Sequence, residues 1–362
     1  MKKRLFRRSY LPLLFAVFLL FLFFLTLDAA VAGARSALYL LATRVAPALF
    51  PFLVVSEWLN SFGAQNLVGR ICALPAEKIF GLGERGGAAL FFGVLCGFPV
   101  GILTALAARH EAKLSRGDFC RLSLFCDTPS AGFLVGAVGV GVFGNKSAGT
   151  ALFLSVVSAS LLVGFFSRFF FSRTAPPMRV SGETLPKASF FPLLTGGVTR
   201  ALSSLLTIAA FVLFFSALSS SLAALGTAFR VPPTATLILS GLLEFSGGIF
   251  SATRLLSPER AFLFSSFFAA FGGFSLAAQL FALSGEERPP LSAYFAAHLI
   301  KGALAACFSA LYLRFAKPLL ASPADAAASA FSEQNAADAG TAFLLLFLFA
   351  LFFFSRKRRK RT

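Results

Sequence analysis

The run from Ser9 to Leu27 carries no charged side chain and is long enough to cross a bilayer, which takes roughly 20 apolar residues in a helix. Comparable apolar runs recur along the chain, and no compact water-soluble fold of this size could hide them all. The 362 residues are 57% hydrophobic, include 48 phenylalanines and are only 13% charged, where an ordinary soluble domain has about 25% charged residues. The sequence therefore reads as a polytopic membrane protein of the all-α class.

The net charge of +18 is informative through its placement. Lys2, Lys3, Arg4, Arg7 and Arg8 precede the first span, and Arg356 to Arg361 is an unbroken basic run after the last. Positive-inside bias then puts both termini in the cytoplasm, with an even number of crossings, and the basic segments meet anionic headgroups of the bilayer rather than nucleic acid. The first span is expected to be retained, although Ala30, Ala32 and Ala34 could imitate a cleavage site and leave processing as the alternative. Cys72, Cys96, Cys120, Cys126 and Cys307 lack metal-type spacing and read as packing residues. Two histidines, His110 and His298, are too few for a typical multi-histidine centre, so no metal site is expected. With no nucleophile elbow, H-E-x-x-H or phosphate-binding loop, no catalytic residues and no enzyme activity are expected either.

The chain divides into an N-terminal transmembrane anchor (1–35), a first repeat (36–167), a basic connecting loop (168–189), a second repeat (190–316), a flexible connector (317–340) and a C-terminal anchor with the basic tail (341–362). Within 36–59, Arg44, Pro47, Pro51 and Glu57 argue against a plain lipid-facing helix, and 60–86 suits an interfacial amphipathic helix and a turn. Gly97, Pro99 and Gly101 interrupt the apolar stretch 87–108, which predicts a broken helix. Asp127-Thr128-Pro129-Ser130 between apolar arms predicts the tip of a re-entrant hairpin. In the second half, 190–200 is expected at the interface and 202–225 as a span. Glu244 lies in the apolar segment 234–249, Gly272, Gly273, Ser275 and Gln279 interrupt 261–283, and His298 and Lys301 lie in 291–313. The separation from Gly97 to Asp127 is close to that from Gly273 to Lys301, which pairs the two halves as repeats.

Interrupted helices expose unpaired N–H and C=O groups in a low-dielectric setting, and transporters built from repeats place their sites there. One wall of the expected site comprises Gly97, Pro99, Gly101, Asp127, Thr128 and Ser130. The other comprises Gly273, Ser275, Gln279, His298 and Lys301, with Lys301 available to a substrate carboxylate. Glu57 and Glu244 are the candidates for coupling to a proton or sodium ion, since an acid at membrane depth is a functional candidate by default. No other cofactor is expected. The glycines also have a plain packing reading, because small residues let helices approach closely.

Cys96-Gly97-Phe98-Pro99-Val100-Gly101, Leu114-Ser115-Arg116-Gly117-Asp118, Arg121 to Asp127 and Gly136 to Gly144 resemble the YlbJ family of sporulation integral membrane proteins. So do Gly241-Leu242-Leu243-Glu244, Gly272-Gly273-Phe274-Ser275 with Gln279, and Tyr294-Phe295 through Lys301-Gly302. The resemblance covers about Val45 to Leu313. Five positions depart from that family's pattern: Asp127-Thr128 stand where Asn-Asn is expected, Ala277 replaces a His, and His298 and Lys301 stand for an Arg and a His. The resemblance implies the nucleoside-recognition Gate domain and an organisation similar to concentrative nucleoside transporters. It also implies a role in bacterial endospore formation, with passage of dipicolinic acid across the outer forespore (mother-cell) membrane. The expected function is secondary transport of a small anionic solute, dipicolinate first. The alternatives are a nucleoside transporter or a non-transporting membrane scaffold for a sporulation complex, and the expected protein partners are a second copy or sporulation membrane proteins.

Overall fold

A computed structural model describes residues 2–171 and 190–316, with side chains over 10–171 and 190–315. Most of the basic loop, the 317–340 connector and the 341–362 anchor and tail lie outside the described residues. Regular structure within them is wholly helical. Among the described residues five helical runs are long and apolar enough to cross a membrane, Leu27–Ser61, Lys146–Phe170, Phe190–Ala228, Pro258–Glu287 and Leu291–Phe315, and the molecule is a polytopic helical membrane protein.

Helix α1 (Lys2–Leu25) exposes most of its apolar side chains along the edge of the bundle. The next run is continuous: α2 (Leu27–Leu40), a π-helical turn at Leu41–Val45, and α3 (Ala46–Ser61). Pro47 and Pro51 lie within this run without ending it. The wider π turn just ahead of Pro47 gives room for a ring that would otherwise press on the preceding turn. Helix α4 (Ala64–Pro75) turns Leu67, Ile71 and Leu74 outward on one face, as an interfacial helix would.

The break at Gly97 separates α5 (Glu84–Leu95) from α6 (Val100–His110). It is a hairpin, with arms so close that a Cβ on Gly101 would lie 2.4 Å from the Cα of Gly93. Helix α7 (Arg116–Leu122) follows, then an unwound segment at 123–130, a π-helical stretch at Gly132–Val140, and α8 (Lys146–Phe170). The re-entrant tip expected at Asp127 is thus replaced by a gap in an interrupted helix, and the hairpin is the preceding pair. Pro129 accounts for the gap, since it lacks an N–H and disfavours helical backbone at the residue before it, Thr128.

In the second half, α9 (Phe190–Ala228) is a single 39-residue helix, where an interfacial segment and a separate span were expected. At 1.5 Å per residue it is about 58 Å long, nearly twice the ~30 Å hydrocarbon core. Gly197 does not break it, because that glycine makes room for Trp58: a Cβ there would lie 2.4 Å from the indole Cδ1, whose ring N–H donates to the Leu194 carbonyl at 2.9 Å. Then come α10 (Pro233–Leu243), α11 (Phe245–Leu255), α12 (Pro258–Phe271), α13 (Gly273–Ser284) and α14 (Leu291–Ala316). Helices α10 and α11 form a second hairpin with Glu244 as its tip, and a Cβ on Gly248 would lie 2.2 Å from the Gly241 Cα. Gly272 and Gly273 separate α12 from α13 with φ of 79° and 76°, a left-handed backbone that glycine adopts without strain.

The two hairpins enter from opposite ends. Arg109 pairs with Glu287 at 3.2 Å, Arg116 donates to the Glu286 carbonyl at 3.1 Å, and Arg168 donates to the Lys78 and Ile79 carbonyls at 2.8 and 2.9 Å. Arg121 also donates to the Phe80 carbonyl. These contacts gather both ends of the first hairpin with the start of α7 and the ends of α8 and α13. The second hairpin ends just before Pro258, at the far end of the 258–287 run. A long helical run, a hairpin, an interrupted helix and a long helix therefore occur twice, in opposite orientation. This order pairs the Gly97 tip with Glu244, and the 123–130 gap with Gly272–Gly273, a different register from the spacing match in the sequence.

Candidate functional site

Each hairpin tip rests against a helix gap. The Phe98 N–H donates to the Thr128 carbonyl at 2.8 Å, and the Thr128 hydroxyl donates to the Gly93 carbonyl at 3.2 Å. Gly97, with φ of 76°, is so close to the gap that a Cβ would lie 2.5 Å from the Ser130 nitrogen. Ser130 caps the following stretch, accepting from the Phe133 N–H at 3.2 Å. In the other half a Cβ on Gly273 would lie 3.1 Å from the Leu243 carbonyl oxygen, one residue before Glu244. The two sets also touch each other. Phe133 and Phe245 meet edge to face at 5.4 Å, and Phe98 joins Leu276, Ala277 and Leu280 of α13 in one apolar cluster.

Asp127 projects from the first gap onto α14, where Tyr294, His298 and Lys301 share one face because they are spaced by four and three residues. Its Oδ1 accepts from the Lys301 ammonium at 2.7 Å. Its Oδ2 lies 2.7 Å from His298 Nε2 and accepts from the Tyr294 hydroxyl at 2.9 Å. All four side chains are buried. His298 Nδ1 lies 2.8 Å from the Tyr294 carbonyl. The cluster thus sets one carboxylate against an ammonium, a phenol and an imidazole.

Glu244 is compensated differently. It is 1% exposed and stands in extended backbone at the head of α11, where its carboxylate accepts from the N–H groups of Ser246 (3.0 Å) and Gly247 (2.6 Å) and from the Ser246 hydroxyl (2.6 Å). Among the described residues its partners are backbone amides and a hydroxyl. Such a carboxylate sits in the favourable field of a helix N-terminus while retaining acceptor capacity.

The remaining expected residues fall into separate groups. Asp127, His298 and Lys301 are joined in one cluster, and Gly97, Thr128 and Ser130 form the tip-to-gap contact beside it. Pro99 follows Phe98 through a cis peptide bond, and Gly101 serves the hairpin crossing. Ser275 and Gln279 are buried and bonded to each other at 3.3 Å. Glu57 lies apart, paired with Arg200 at 2.7 Å between α3 and α9. Tyr294 was not among the sequence candidates, although its spacing ahead of His298 and Lys301 was a usable signal. Among the described residues no group of three or more His, Cys, Asp or Glu side chains could hold a metal ion.

The sequence is similar to the sporulation integral membrane protein YlbJ of Bacillus subtilis (strain 168), 28% identical over a 369-residue alignment covering 92% of this chain and 89% of the relative. No family model matches the chain, and no solved structure matches it.

Proposed function

On the premise that this similarity supports, assignment to the YlbJ family of sporulation integral membrane proteins, we propose that the chain is a secondary transporter of a small anionic solute. One observation carries the reading: two hairpins entering from opposite ends rest their tips on helix gaps beside a buried cluster in which Lys301, His298 and Tyr294 surround a carboxylate. Paired, oppositely oriented interrupted helices are the arrangement through which many transporters expose a central site to either side in turn. Buried ionisable groups at that depth are costly unless they serve function or are fully paired. The Lys301 ammonium, with the Tyr294 hydroxyl and the His298 imidazole beside it, suits a carboxylate. Glu244, held by amides and a hydroxyl, is the group we assign to a coupling proton or sodium ion. Glu57 has no such role in this reading, because Arg200 already takes its charge.

Dipicolinate is the first candidate substrate, being small, rigid and dianionic, and the resemblance noted in the sequence points the same way. The corresponding setting is the outer forespore membrane, with both termini in the cytoplasm. The test is uptake of labelled dipicolinate, and in parallel of a labelled nucleoside, into proteoliposomes under an imposed proton or sodium gradient. Dipicolinate accumulation above empty vesicles is expected. Nucleoside uptake alone would replace the substrate. Accumulation of neither solute by folded, inserted protein would refute transport and favour a scaffold.

A further inference from the structure

Tyr294, His298 and Lys301 offer α14's side of the bundle a ready carboxylate site: one ammonium at 2.7 Å from one oxygen, an imidazole nitrogen and a phenol at 2.7 and 2.9 Å from the other. The carboxylate found there is the chain's own. It comes from the unwound segment 123–130, which belongs to the opposite half and is held against the first hairpin by Phe98, Thr128 and Cys126, whose thiol donates to the Ala89 carbonyl at 3.0 Å. Helix α14 itself is regular from Leu291 to Ala316, so the donors are fixed in one rigid element and the acceptor is carried on an irregular one. None of the four side chains has a buried polar atom left without a partner. Replacing the Asp127 carboxylate by another carboxylate would preserve every hydrogen bond on the donor side and its charge balance, whereas a neutral solute would leave Lys301 uncompensated, at considerable cost.

We infer that Tyr294, His298 and Lys301 form the substrate-carboxylate site, and that Asp127 occupies it as an internal stand-in that the solute displaces. The inference rests on the transport reading and deepens it: the substrate class is a carboxylate, and segment 123–130 is the part that moves when it binds. Displacement also explains why an acid, rather than a second cation, faces the donors. It keeps Lys301 paired while the site is empty of solute, and it sets a threshold that weakly binding anions do not pass.

The experiment uses the full chain in detergent and measures binding of acetate, of pyridine-2,6-dicarboxylate and of neutral acetamide by calorimetry. Asp127→Ala opens a carboxylate-sized space beside Lys301, and it is expected to bind both acids about ten-fold or more tightly than the unaltered chain, a difference of about 1.4 kcal/mol, with no gain for acetamide. The gain is expected to vanish in Asp127→Ala/Lys301→Met. Asp127→Asn keeps the shape and an acceptor oxygen but releases Lys301 more easily, so it too is expected to gain affinity. If Asp127→Ala folds poorly, acetate should raise its melting temperature and acetamide should not. Unchanged acid affinity in both single variants, or a gain that survives loss of Lys301, would overturn the inference. Active dipicolinate uptake by the unaltered chain combined with no gain in the variants would sink the stand-in and leave transport standing. Gain in the variants without uptake by the unaltered chain would leave the carboxylate site standing and remove transport.

Discussion

Asp127 and Glu244 are both buried acids at interruptions in the helical framework, yet one is held by side chains of a distant helix, Lys301 foremost, and the other by the head of a helix. Asp127 needs α14, from the other half of the molecule, to supply Lys301 and His298. Glu244 needs only the next three residues of its own chain. The first arrangement ties two distant segments together and changes only if the tie is broken. The second is complete within one tip, so a proton or small cation can arrive or leave without separating any two elements. On the proposed transport reading, solute binding falls to the first and ion coupling to the second.

The largest break in this contrast is Lys301→Met, which leaves Asp127 without its ammonium partner. Removing one member of a buried pair costs about 3–5 kcal/mol, so a marked fall in melting temperature and loss of anion uptake are expected together. Asp127→Asn/Lys301→Met, which removes both charges, should recover much of the stability and none of the uptake. Recovery of uptake in the double variant would show that the pair is purely structural.

The hairpin crossings sharpen the comparison, since one supports each acid. Gly101→Ala would place a Cβ 2.4 Å from the Gly93 Cα, and Gly248→Ala one 2.2 Å from the Gly241 Cα. Both must push backbone apart, and about 1–3 kcal/mol of overpacking is expected for each. Their functional readouts should differ: half-saturation by solute rises for Gly101→Ala, whose tip braces the Asp127 segment, while dependence on the ion gradient weakens for Gly248→Ala. Identical changes in the two variants would undo the division of labour.

These crossings also show how much the sequence disclosed. The glycines at 97, 101 and 272–273 marked interruptions in apolar stretches, and hydropathy alone established an all-helical membrane protein. Whether an interruption is a hairpin tip or a gap in a crossing helix was not legible, because it depends on which arms pack together. The tip was therefore expected at Asp127 and found at Gly97. Glu244 hid a second tip inside what reads as an unbroken apolar segment, because the residue that caps α11 is a glutamate rather than one of the Ser, Thr, Asp or Asn that usually mark a helix start. The Asp127 cluster was half visible: Lys301 and His298 stood out as ionisable residues at membrane depth, while their shared partner, 171 to 174 residues away, is fixed only by the tertiary arrangement.

Glu244→Gln tests the second acid with a smaller structural effect. The amide keeps an oxygen for the Ser246 or Gly247 N–H but loses the charge that favours the head of α11, an effect of about 0.3–2 kcal/mol. Uptake driven by the solute gradient should persist, whereas stimulation by an imposed proton or sodium gradient should disappear. Full gradient dependence in this variant would remove Glu244 from coupling.

The smallest effect is expected where a third acid already has an ordinary partner. Glu57 pairs with Arg200 at 2.7 Å, but the Arg200 side chain is 53% exposed, and exposed pairs of this kind contribute about 0–1 kcal/mol. Arg200 also donates to the Ser61 hydroxyl at the same end of α3, so its work is to pin α9 to α3 rather than to hold charge at depth. Glu57→Gln and Arg200→Gln should each shift the melting temperature only slightly and leave both the solute affinity and the gradient dependence of uptake unchanged. A loss of gradient stimulation in Glu57→Gln comparable to that in Glu244→Gln would move coupling, or a share of it, from the helix-capped acid to the arginine-paired one.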